Sequence, residues 1–155
     1  MKNVCLICMM AVLLTISNVF VAYSQDTNVK PIVTEECILN ISAFQQLVKD
    51  KQFAEAYEPW YVAYEACPNA NKAIYTNGAK IIKALFQATT DEEEKRRLAE
   101  LAIELQDKRI EYFGNDPKFP TAYILGEKGL AYLDYFGSEK IEEAHECLRQ
   151  SVQQR

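Results

Sequence analysis

Residues 53–68 read FAEAYEPWYVAYEACP, and the spacing within them decides the fold. Phe53, Ala56, Trp60 and Ala63 recur at steps of three and four, which gathers them on one face of an α-helix. Alanines on such a face let a second helix lie close, and the aromatics fill the gaps beside them. Cys67-Pro68-Asn69 then stops the helix, because the residue before a proline is pushed out of helical geometry. Pro59 lies inside the segment, where its missing N–H and its ring cost about 3 kcal/mol unless the helix bends. It reads as a local kink that packing tolerates.

Working outward, Ser42 with Gln45 forms a capping-box pattern, and Phe44, Leu47 and Val48 continue it with helical spacing. This predicts a first helix from about Asn40 to Lys51. Downstream, Asn71 is placed to cap a third helix through Phe86, whose Gly78 lets a neighbour approach. Thr90 with Glu93 opens a fourth, with the acids 91–94 suited to the positive end of the helix dipole. Leu98, Leu101, Ala102, Leu105, Ile110 and Tyr112 are its expected buried stripe, and Gly114 its expected left-handed terminator. A fifth helix is predicted from Pro120 to Phe136, and a sixth from a Ser138 cap through Ile141, Ala144, Leu148 and Val152. No segment alternates with the period of two that marks a half-buried strand. The expectation is an all-α fold of six helices in three antiparallel pairs.

The repeated pairing resembles a tetratricopeptide repeat (TPR). Phe53, Ala56, Trp60, Ala63 and Pro68 are similar to the second half of such a repeat. Ile74-x2-Asn77-Gly78-x2-Ile81 is similar to a first half, Ala122-x2-Leu125-Gly126 to a fragment of one, and Ile141-x2-Ala144-x3-Leu148-x2-Ser151 to a weakened second half. The middle unit, Pro68 to Pro117, exceeds the roughly 34 residues of a standard repeat, so its helices are elongated. The chain runs out soon after Ser151, before a closing proline, as a truncated or short member of a longer family would. Taken whole, the sequence resembles a divergent TPR-like protein of the Gram-negative bacterial envelope. That resemblance implies an α-solenoid over residues 40–155 whose first helices line a groove, presenting Gln45, Lys49, Tyr75, Lys83, Tyr123 and Glu127. The asparagines of carboxylate-clamp TPR proteins are missing from it, so recognition of peptide C-termini is not carried over.

The first 24 residues stand apart. One lysine precedes an uncharged run from Val4 to Ile16, and Ala22-x-Ser24 offers small residues where a signal peptidase reads, so residues 1–24 are expected to be a signal peptide. Residues 25–39 are polar and aperiodic at their start, and read as a linker. Cleavage would leave Cys37, Cys67 and Cys147 in an oxidising compartment. In an antiparallel hairpin the entrance of one helix lies beside the exit of the next, which pairs Cys37 with Cys67 and leaves Cys147 odd. Such a bridge contributes about 3–4 kcal/mol in the chain-entropy view.

The chain carries a net charge of −5, poor for a binder of nucleic-acid phosphates, which needs clustered Lys and Arg. It holds one histidine, His145, two residues from Cys147 and so on a different helix face. No GxGxxG, phosphate loop, HExxH or CxxC occurs. These features predict no enzyme activity, no cofactor, no metal and no stable membrane span after cleavage. The leading expectation is a periplasmic or secreted interaction scaffold that docks an envelope protein or peptide. A small-ligand carrier, or an accessory subunit of an envelope enzyme, is the alternative.

Overall fold

A computed structural model describes residues 33–154, so the expected signal peptide and most of the expected linker lie outside the described residues. Within them the chain is all-α. Six helices follow one another: α1 (Glu35–Lys49), α2 (Phe53–Ala66), α3 (Ala73–Ala88), α4 (Glu92–Phe113), α5 (Thr121–Phe136) and α6 (Ile141–Gln153), the last two joined by a single 3-10 turn, Gly137–Lys140. No strand occurs among the described residues. Each helix packs on the next in sequence, and α1 also reaches α3.

Helix α1 starts ahead of the Asn40 that the pattern suggested. Thr34 caps it by accepting a hydrogen bond from the Cys37 N–H at 3.2 Å, and Glu35 and Glu36 occupy the favourable first turn. Residues 35–39 therefore belong to the helix rather than to the linker, and Ser42 lies exposed in its interior. The reason is burial, since Cys37, Ile41, Phe44 and Val48 form one inward stripe from the first turn onward. The chain reverses tightly after α1, with Lys51 at φ 60° and the Gln52 N–H donating to the Leu47 carbonyl at 2.8 Å. Antiparallel packing of α1 on α2 follows, and the Cys37–Cys67 disulfide joins the entrance of one to the exit of the other with Cα atoms 6.3 Å apart.

The residue types of 53–68 explain the next contact. Trp60 is fully buried, its indole N–H donating to the Ile74 carbonyl at 2.7 Å, and the ring lies over Gly78 of α3. A Cβ at position 78 would stand 2.5 Å from the indole nitrogen. Tyr64 stacks on Trp60 and donates to Glu104 of α4 at 3.0 Å, and Arg97 of α4 donates to Tyr57 at 2.9 Å. Trp60, Tyr64 and Ile74, with Phe44 of α1 and Ile81, Ile82, Leu98, Leu101 and Leu105, build one core shared by α1 to α4.

The later boundaries shift for local reasons. Asp91, not Thr90, caps α4 by accepting from the Glu94 N–H at 2.9 Å. Gly114 has an ordinary helical φ of −62°, so its value is space, not handedness: a Cβ there would meet the Ile110 carbonyl and the Thr121 hydroxyl, each at 2.5 Å. Ser138 falls in the 3-10 turn and caps nothing; the chain turns instead at Gly137, whose φ is +57°. Helices α5 and α6 pack closely because Gly126 faces Ser151 and Gly129 faces Leu148 and Ala144, an order that makes the pair antiparallel.

Candidate functional site

On α4 the inward stripe does not end where apolar residues run out. Ala102, Gln106, Arg109 and Phe113 continue it at steps of four, three and four, and the two polar members are only 5% and 8% exposed. Of the expected continuation, Ile110 is half-buried, whereas Tyr112 is 37% exposed and lies outside the stripe. Two hollows lie in line beside this stripe. One, of about 270 Å³, has Ala79 and Lys83 of α3 on one side, Gln106 on its floor, and Glu127, Leu130 and Asp134 of α5 opposite. The other, of about 350 Å³, is lined by Lys72, Ala73 and Thr76 of α3, by Arg109 and Phe113, and by Asp116 and Phe119 of the α4–α5 connection. Residues 72, 76, 79 and 83 repeat at helical spacing, so a single face of α3 borders both.

The electrostatics of the stripe are uneven. The Gln106 side-chain oxygen is buried and has no hydrogen-bond partner among the described residues. Burial pulls the Arg109 guanidinium below its ordinary value, and the charges of Glu127, Tyr123 and Asp116 oppose that pull. No carboxylate among the described residues pairs with it directly. Its partner is the Tyr123 ring, with the guanidinium carbon 5.9 Å from the centroid. By contrast, the flanking lysines are occupied: Lys72 pairs with Asp116 at 2.7 Å and Lys83 with Asp134 at 3.0 Å. The Lys72 ammonium and backbone N–H groups of Lys118 and Phe119 hold the Asp116 carboxyl at about 2. Tyr135, at the far end, is pushed up to about 12 by burial and by the neighbouring Asp134 charge.

Of the residues expected to line a groove, Lys83 and Glu127 meet in the first hollow, and Tyr123 stands beside Arg109. Tyr75 does not belong there. It is fully buried, donates to the Pro68 carbonyl at 2.9 Å and packs edge-on against Phe113, so it is a core residue, and burial raises its phenol well above the ordinary range. Gln45 and Lys49 sit on α1, half-buried and exposed respectively, and border neither hollow. Gln106 and Arg109 were missed, although the step from Ala102 to 106 to 109 to 113 marks them as inward positions occupied by polar residues.

Among the described residues no three side chains of His, Cys, Asp or Glu converge as a metal centre requires, and no helix is long and apolar enough to cross a membrane. Cys147 is free and half-buried, with its thiol raised by burial. No protein-family model, curated protein or solved structure matches this chain.

Proposed function

We propose that this protein is an exported, TPR-like helical scaffold of the bacterial envelope that works by binding a peptide or protein segment along the face of α3, α4 and α5. The observation that carries the reading is the pair of hollows beside one stripe of α4, both open to solvent and bordered by α3, the first closed on its other side by α5 and the second by the α4–α5 connection. Two neighbouring, partly apolar hollows along one helix face, each with a few polar groups in its walls, suit successive residues of an extended segment of chain. Packing of each helix on its sequence neighbour supports a solenoid of three pairs, and the Cys37–Cys67 disulfide supports residence in an oxidising compartment. A small-ligand carrier is the second reading, favoured by the hollow of about 350 Å³ around Arg109.

Site-specific photocrosslinking in the native host tests the proposal. A photoreactive residue at Ala79 or Leu130, both lining the first hollow, should trap a discrete protein partner, whereas one at Gln87, exposed near the end of α3, should not. Equal crosslinking from all three positions, or none from the hollow, would remove the scaffold reading.

A further inference from the structure

Two polar side chains lining the hollows are left incomplete by the fold itself. Arg109 is 8% exposed and finds no direct carboxylate partner among the described residues. Its contact with the Tyr123 ring is an attraction between charge and ring face, which uses none of the five guanidinium N–H donors. One turn earlier, Gln106 is 5% exposed and its oxygen is unpartnered. The buried Gln106 carbonyl without a donor costs free energy, and one turn on, Arg109 lines the second hollow with no carboxylate among the described residues ion-paired to it. Elsewhere the same protein satisfies its polar groups: Trp60, Tyr64, Tyr75 and Lys72 all have partners.

Resting on the scaffold reading above, we infer that the face carrying the two hollows recognises an acidic peptide segment, with an Asp or Glu carboxylate bound by Arg109 in one hollow and a neighbouring backbone amide bound by Gln106 in the other. The chemistry of the two groups selects this ligand. A guanidinium offers a fork of N–H donors that matches a carboxylate. A carboxamide carries one acceptor and two donors, the complement of a peptide amide. Residues one turn apart on a helix have Cβ atoms about 5–6 Å apart, and an extended peptide advances about 3.3 Å per residue. The acidic side chain therefore lies within a residue or two of the amide that meets Gln106. A free carboxylate would satisfy Arg109 alone. The rim sets a further condition, because Glu127 opposes an incoming anion while Lys72 and Lys83 are already paired.

Fluorescence anisotropy on the purified full chain tests this with two labelled ten-residue peptides that differ only in Glu against Gln at two central positions, beside N-acetylglutamate amide as unlabelled competitor. The Glu peptide should bind about tenfold more tightly than the Gln peptide. Arg109→Gln should abolish that preference. Gln106→Met, which replaces the carboxamide with an apolar group of similar size, should weaken both peptides while leaving the thermal midpoint unchanged or raised. Glu127→Gln should strengthen binding of the Glu peptide. Arg109→Lys guards against misfolding of the first variant, and should keep part of the preference. A wild type that binds both peptides equally overturns the acidic specificity and leaves the scaffold reading standing. Preference that survives Arg109→Gln in a folded protein overturns the assignment of the carboxylate to Arg109. Displacement of the Glu peptide by N-acetylglutamate amide at matching affinity overturns the peptide and favours a carrier. Absence of binding by either peptide overturns the inference, while crosslinking from Ala79 and Leu130 decides separately whether the scaffold reading falls with it.

Discussion

Trp60 and Gly78 fit each other as a plate fits a slot: the indole needs the missing Cβ, and its N–H reaches the Ile74 carbonyl because nothing stands between them. Glycine inside a helix is ordinarily a cost of about 1 kcal/mol relative to alanine, so an exposed glycine replaced by alanine would gain stability. Here the sign reverses. The new methyl would sit 2.5–2.7 Å from three atoms of a fully buried ring that has no room to retreat. Gly78→Ala should therefore destabilise by about 1–3 kcal/mol, read by urea denaturation followed through the single tryptophan, whose emission should also shift as the ring is displaced. Gly126→Ala is the comparison. Its nearest neighbour is the Ser151 hydroxyl at 3.1 Å, and that change should be much milder.

Helices and connections differ in how much of them could be read from the sequence. The bounds of α2 were legible because proline and a strict apolar spacing act within the segment itself. The start of α1 was not legible in its apolar spacing, since the turn before Ile41 adds only Cys37 to the inward stripe and begins on the Thr34 cap. The polar positions of α4 are less legible: Gln106 and Arg109 sit at inward spacing, but only the packing of the neighbouring elements shows that each lines a hollow. The α4–α5 connection is fixed by a distant partner. Asp116 accepts from the backbone N–H groups of Lys118 and Phe119 at 2.8 and 3.1 Å, and Lys72 at the start of α3 clamps its other oxygen. An unfolded aspartate titrates near about 3.9, whereas here the carboxyl is held at about 2. A depressed folded value stabilises the folded state above the unfolded pKa and loses that contribution as pH falls through the folded one. The thermal midpoint of the wild type should accordingly exceed that of Asp116→Asn at pH 5, with the gap closing between about pH 4 and pH 2. A gap that stayed constant across that window would show the loop to be held by something other than this charge.

At the scale of the whole molecule, stability is distributed unequally along the chain. One continuous apolar core joins α1 to α4, and the disulfide closes its first hairpin. Helices α5 and α6 pack tightly on each other through small residues. Their ties to the earlier helices include three ion pairs: Lys83–Asp134 and Arg96–Glu139, which are exposed and of a kind that contributes little, and Lys128–Asp107, whose lysine is largely covered. Hydrogen exchange measured by mass spectrometry should thus find α5 and α6 opening together, and sooner than α2 and α3. The first hollow has walls on both α3 and α5, so a bound segment touching both should slow exchange in α5 and α6.

The disulfide also has a mechanical consequence. Pulled from its two ends, the chain delivers tension at Cys37 and passes it straight across to Cys67, so the intervening loop of α1 and α2 is shielded from load. The two cysteines are 30 positions apart, which withholds roughly 100 Å of contour length from any stretching force. In an optical trap, full extension under oxidising conditions should fall short of that after reduction by about this amount. A protein built this way keeps the segment between its two cysteines from being drawn out, while the α3 partners of Trp60, Ile74 and Gly78, lie outside that loop and bear the load.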